Sequence, residues 1–285
     1  MKPINRFLRE EDYRLVSYRC LRKVFEDIYE KELRKTPSLY GSKYENQTKI
    51  HWSRDWEYPW AVIHSGVKAD HRVLDCGCGG SPLLPFLARY GCQAYGVDPG
   101  INTPMQSLYS HYSQVWKRVI ARISSSKKSA GSEAVKRGES SGGQATSLLR
   151  RAVRLVRRSS DNWVYDARRM KKLGLDVKYF PDSLDKMRFE DEFFDRVFCI
   201  SVIEHLPEQI AYAGMREMSR VLKKGGLLVV TVDNNGRHVN PALRGKHEEL
   251  IAATGLSLFG ESDFVVPDLD QVPGTYNVVG FLLRK

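Results

Sequence analysis

A chain of 285 residues can bury one substantial core, and a single elaborated domain is expected rather than two. Hydrophobic residues make up 42%, no apolar run approaches the ~18 residues of a membrane span, and the start Met1-Lys2-Pro3-Ile4-Asn5-Arg6-Phe7 lacks a signal-peptide core, which predicts a cytoplasmic protein without a transmembrane segment. The net charge of +11 suggests nucleic acid until it is located: 16 Lys/Arg against 4 Asp/Glu lie between Lys117 and Lys172, and the rest of the chain carries 29 against 30.

Five cysteines, an odd number, supply no disulfide framework. Residues 4–35 show helical spacing (Leu8, Leu15, Tyr18, Leu21, Phe25, Ile28), so amphipathic helices are expected before the core. An aromatic stretch follows, with Tyr40, Tyr44, Trp52, Trp56, Tyr58 and Trp60. These rings can fold over a ligand, but packing of N-terminal helices on a sheet is the more common use of any single ring. Trp56 to Gly66 reads as the helix leading into the first strand of the core.

From Arg72 to Gly100 the pattern is strand, glycine turn, helix, strand. Val73-Leu74 stops at Asp75, and Gly77, Gly79 and Gly80 allow a tight turn. Leu83, Leu84, Phe86 and Leu87 open a helical face, and Gly91 caps it. The strand Ala94 to Val97 then delivers Asp98, which follows Gly77 by 21 residues, near the spacing of about 20 for an acid that binds ribose hydroxyls. Ser81-Pro82 replaces the third glycine of a dinucleotide fingerprint. Asp75, before the turn, would repel a pyrophosphate but suits a ligand carrying an ammonium group. Cys76 and Cys78 occupy variable turn positions without a second pair or nearby histidines, so no metal is expected there.

These residues resemble motif I and the ribose acid of the class I S-adenosylmethionine-dependent methyltransferases. The resemblance implies a Rossmann-like α/β fold: a seven-stranded, mostly parallel sheet with helices on both faces, plus N-terminal helices and a basic insertion after the second strand. It covers residues 60–100 and 174–285. The domain reading is an N-terminal helical and aromatic cap segment at 1–60 and a methyltransferase domain at 61–285, interrupted by an insertion at about 104–172.

Within the insertion, Met105 to Ile123 can be helical and residues 124–146 form a Ser/Gly/Lys-rich flexible loop. Ser147 to Arg158 is an amphipathic helix with leucines and valines on one face and arginines on the other. It can bind an anionic membrane surface or RNA phosphates. It can equally be a cover helix docked by its apolar face, as charge runs usually face water. A further helix, Asn162 to Leu173, ends at Gly174, and Asp176 to Phe180 is the third strand. Pro181-Asp182-Ser183-Leu184 resembles the family's acidic loop, with Asp182 and Ser183 on the adenine side; a plain turn-forming Asp competes with that reading.

Phe193 to Leu206 is the second family signal: a buried strand, Phe194-Asp195-Arg196-Val197, with Glu204-His205-Leu206 downstream. Arg216 to Leu222 continues as a helix, Lys223-Lys224-Gly225-Gly226 caps it, and Leu227 to Val232 is the fifth strand. Lys246 to Thr254 is a helix, Asp263 to Val266 a sixth strand and Tyr276 to Leu283 a last one.

The resemblance implies S-adenosyl-L-methionine as cofactor. It assigns Asp75 to the methionine ammonium, Gly77 and Gly79 to close backbone approach, Asp98 to the ribose, and Ser201 to the methionine end. His205 is the candidate general base, with a structural histidine as the competing reading. Asp233-Asn234 resembles a magnesium-binding pair, yet Ser201 stands where a further aspartate ligand belongs, so no metal is assigned.

After the fourth strand, Ser201-Val202-Ile203-Glu204 replaces the Asn/Asp-Pro-Pro-Tyr/Phe of base-amine and glutamine methyltransferases, and no Pro-Cys nucleophile for cytosine carbon is present. The expected acceptor is therefore an oxygen or nitrogen of a small molecule: a metabolite, sugar or lipid-linked intermediate. The alternatives are an RNA- or protein-directed methyltransferase docking through the basic insertion, and a non-catalytic module that only binds the cofactor.

Overall fold

The computed structural model describes residues 4–28, 54–79, 81–99, 170, 173–234, 239–265 and 278–285. The chain divides into one unit made of Met1–Ile101 and Tyr165–Lys285 and another, Asn102–Val164, that lies outside the described residues. The expected helices and loop of the basic insertion fall there. Only the end of the last helix is described: Met170 is helical, and the amide of Leu175 closes the turn on its carbonyl at 2.9 Å, with Gly174 at φ +72°.

The first unit is built on a sheet whose strands are β1 (Asn5–Phe7), β2 (Arg72–Cys76), β3 (Gln93–Val97), β4 (Val177–Phe180), β5 (Phe194–Ile200), β6 (Leu222–Asp233), β7 (Ser257–Leu258), β8 (Ser262–Asp263) and β9 (Val278–Arg284). The spatial order is β4-β3-β2-β5-β6-β9-β1-β8, with β7 on β9. From β4 to β6 every pairing is parallel, whereas β9 runs antiparallel to β6. The apolar runs of β5, β6 and β9 are what a sheet covered on both faces requires. On one face Val73, Ala94, Phe198, Val229 and Leu282 meet α1 (Val16–Ile28), α2 (Arg54–Ser65) and α3 (Leu83–Arg89). On the other, Leu74, Tyr95, Val197, Leu228 and Phe281 meet α4 (Glu208–Val221) and α5 (His247–Ala253).

Among the described residues the sheet has nine strands where seven were expected. One addition is β1, in a stretch whose spacing reads as helical. Three residues carry no usable period, and β1 is held instead by tertiary bonds. The fully buried amide of Asn5 donates from Nδ2 to the carbonyls of Phe259, Gly260 and Glu261 at 3.2–3.3 Å, and its Oδ1 accepts the Leu282 amide at 2.7 Å. A buried pair, Arg6 with Asp12 at 2.8 Å, follows, and Asp12 also accepts the Trp56 indole N–H at 2.8 Å. Helix only begins at a short 3-10 turn, Glu10–Arg14, before α1.

The rings of α2 are core. Trp56 and Trp60, fully buried, stack with centroids 5.4 Å apart, and Tyr58 is buried beside them. A Cβ on Gly280 of β9 would come within 2.8 Å of the Trp60 ring, so that strand position has room only for glycine. Tyr40, Tyr44 and Trp52 lie outside the described residues.

A second difference concerns Lys223-Lys224-Gly225-Gly226, expected as a helix cap. Helix α4 stops at Val221, Leu222 already pairs with Phe194, and pairing resumes at Leu227 opposite Arg196. The four residues form a bulge at the start of β6, pinned where Lys223 Nζ meets Asp195 at 2.7 Å. The sixth strand, expected at Asp263 to Val266, is the two-residue β8, ending at Asp263. Among the described residues, no helix is long and apolar enough to cross a membrane.

Candidate functional site

The chain reverses its direction of winding between β2 and β5, and the crevice outside their carboxyl ends is where an open α/β sheet binds ligands. The glycine turn enters it directly from β2. The amides of Gly77 and Cys78 both reach the Val97 carbonyl, at 2.8 and 3.2 Å, which tucks the turn against the end of β3. Gly77 adopts φ +69°, and a Cβ there would stand 2.5 Å from a methyl of Val202 in the turn after β5. Gly79 donates its N–H to Asp98 Oδ2 at 3.0 Å, so the acid at the end of β3 and the turn after β2 form one rim.

Asp75 is 3% exposed. Its Oδ2 has no protein partner, and burial pushes its carboxyl up to about 7, with Arg54 and a hydrogen bond from Ser81 opposing. Ser81, in the third glycine's place, thus has a use for its hydroxyl, whose oxygen also accepts the Leu83 amide at 3.0 Å to start α3. An orphaned acid oxygen in the crevice fits a cationic group supplied by a ligand.

Asp182 stands at the exit of β4. Both of its oxygens accept from Arg188, at 2.7 to 3.0 Å, and these bonds hold its carboxyl below the usual range. An adenine amino group at that acid would share it with a guanidinium. Ser183 Oγ bonds to Asp185.

Ser201 ends β5 and is 7% exposed. Its hydroxyl donates to Glu57, a residue of α2 that the sequence reading passed over. Glu57, fully buried, also takes the Thr231 hydroxyl at 2.6 Å and pairs with Arg54. The one sequence signal was a charged pair spaced i, i+3 inside an aromatic helix. The turn Ile203–His205 then separates two neighbours sharply. Glu204 is fully buried, its Oε1 accepts the Asp233 amide at 3.1 Å, and burial pushes its carboxyl up to about 8. The His205 side chain is 46% exposed, with Nε2 3.9 Å from Glu204 Oε1.

Cys76 and Cys78 fall in opposite halves of the core. Among the described residues no group of three or more His, Cys, Asp or Glu side chains could hold a metal ion.

A doubly wound sheet with a glycine turn and an acid at its switch point defines an α/β enzyme that binds a nucleoside-bearing ligand. Residues 64–265 match the family model for a methyltransferase domain, and the chain belongs to that family: it is a class I S-adenosylmethionine-dependent methyltransferase. Its cofactor is S-adenosylmethionine. No curated protein matches it in sequence. Among solved structures it is similar to a magnesium protoporphyrin IX methyltransferase from Synechocystis PCC 6803 (14% identity, 95% of this chain, 98% of that chain, TM-score 0.44). It is also similar to an S-adenosylmethionine-dependent methyltransferase from Aquifex aeolicus (15%, 80% and 88%, TM-score 0.46). A third is the geranyl diphosphate C-methyltransferase of Streptomyces coelicolor (13%, 95% and 98%, TM-score 0.47).

Proposed function

We propose that this enzyme methylates an oxygen or nitrogen of a small molecule, and that Asp75, Gly77, Gly79, Asp98, Asp182, Ser183 and Ser201 make up its cofactor site. The observation that carries the site is the unpartnered Oδ2 of buried Asp75, which an ammonium group would satisfy. S-adenosylmethionine supplies a methyl group on a sulfonium; the protein's part is alignment, a dry crevice and, where the acceptor needs it, a base.

The sign of the pH effect follows from Asp75. Its carboxyl is raised to about 7 in the free protein by burial, with Asp98 adding to burial and Arg54 and Ser81 opposing it. An ammonium favours the ionised form, so binding releases a proton wherever the free acid holds one. Cofactor affinity should therefore rise with pH up to about 7 and level off above, approaching tenfold per unit on the rising side. Calorimetry between pH 5 and 7.5 reads this. Asp75→Asn should bind weakly with a flat profile, and an unchanged slope in that variant would remove Asp75 from the ammonium.

For the acceptor, Glu204 is sealed in while the His205 side chain is half exposed in the turn after β5, so of the two only the imidazole is open to a substrate. His205→Ala should lower turnover by about 10² or more with cofactor affinity unchanged. Equal turnover would make His205 structural. The acceptor class is tested by assaying metabolite, sugar and lipid-linked hydroxyls and amines. RNA would instead be bound with an affinity that falls steeply with salt.

A further inference from the structure

Beside the crevice the Glu57 carboxylate is fully buried and engaged by three side chains. It joins three elements: Arg54 of its own helix α2, the Ser201 hydroxyl at the end of β5 and the Thr231 hydroxyl of β6. Burial would raise its carboxyl, but Arg54 and the two hydroxyls outweigh that and hold it below the usual range. A buried ion pair is a poor source of stability, since apolar replacement is often neutral or better; its best-attested use is to select one geometry.

The geometry here is that of Ser201. It adopts φ +46°, a left-handed conformation that only surrounding structure can impose on a residue with a Cβ. Four bonds hold the residue there. The Ser201 amide donates to the Thr231 carbonyl at 3.0 Å and to its Oγ1 at 3.1 Å, the Ser201 carbonyl accepts from Arg54 Nη2 at 3.4 Å, and the hydroxyl is tied to Glu57. The next residue, Val202, carries the consequence, because its methyls lie 2.5 and 2.6 Å from where a Cβ on Gly77 would be. The left-handed residue therefore stands directly before the side chain that packs on the glycine turn.

We propose that Glu57 is a positioning residue: by anchoring Ser201 in its left-handed conformation it holds Val202 against Gly77 and so shapes the crevice that receives the cofactor. The inference rests on the cofactor-site reading above and adds a residue from outside the family motifs.

Glycine reaches positive φ without help, which provides the test. Cofactor affinity by calorimetry and Tm are measured on the full chain for wild type, Glu57→Gln and Glu57→Gln/Ser201→Gly. Glu57→Gln should weaken binding about tenfold, the equilibrium cost of releasing one imposed left-handed residue. The Ser201 hydroxyl is taken up by Glu57, so its part in the cofactor site is its backbone, which glycine keeps, and the added Ser201→Gly should restore most of the loss. A carboxylate that merely supports the fold would lower Tm without such rescue. If Glu57→Gln does not fold, the comparison moves to position 201, where Ser201→Ala should bind more weakly than Ser201→Gly. No rescue by glycine, or equal affinity of the alanine and glycine variants, overturns the role of Glu57 while leaving the site intact. A folded wild type that binds no cofactor overturns the site reading itself.

Discussion

Asp98→Ala should abolish cofactor binding measurable by calorimetry while the protein stays folded. The acid has two tasks at the end of β3. Its Oδ2 accepts the Gly79 N–H at 3.0 Å, and its own amide is tied to the Phe180 carbonyl at 3.1 Å, so backbone bonds to β4 fix where the carboxylate stands. In the proposed site it also accepts from the ribose hydroxyls. Bonds to a charged acceptor contribute about 1.5–3 kcal/mol each, so losing two of them weakens binding by about 10² to 10⁴. Asp98→Asn keeps an oxygen for Gly79 or for one hydroxyl and should lose only about tenfold. An alanine variant that binds as wild type would show that the ribose lies elsewhere.

Gly77→Ala should be the most damaging single methyl in the crevice. The added Cβ would sit 2.5 and 2.6 Å from the two Val202 methyls at a φ of +69°. Overpacking costs about 1–3 kcal/mol and the left-handed conformation about 1–2, so a loss of about 2–5 kcal/mol of stability is expected, with cofactor binding lost as Val202 is driven off the turn. Denaturant unfolding measures the first and calorimetry the second. Adding Val202→Ala should return the overpacking share and leave the backbone share, since the two sites touch and their effects do not add. Full stability in Gly77→Ala would mean that the turn after β5 yields freely, which would also weaken the role given to Glu57.

Motif I was legible because all of its physics is local. A short apolar run, glycines that permit the turn, a helical apolar face and an acid one strand later lie within one continuous stretch, and each appears in the structure in that order. The same holds for β5 and for the main run of β6, whose unbroken apolar residues require burial on both faces. The cap expected at Lys223-Lys224-Gly225-Gly226 was a local reading too, but pairing of Leu222 with Phe194 draws those residues into a bulge.

By itself, then, the sequence determined the parallel core, the glycine turn, the acids Asp75 and Asp98 at its rim, and with them the class of cofactor. Tertiary structure alone decided the rest. Strand β1 exists because Asn5 finds carbonyls more than 250 positions away, and three residues carry no period to announce it. Glu57 acquires a meaning only when α2 packs across β5 and β6, bringing it to Ser201 and Thr231 at separations of 144 and 174 residues. Of the neighbours Glu204 and His205, packing alone settles which is sealed and which faces solvent. Apolar periodicity records which face of an element is buried, whereas the partner of a buried polar group is chosen by contacts between distant parts of the chain, and local pattern holds no trace of them.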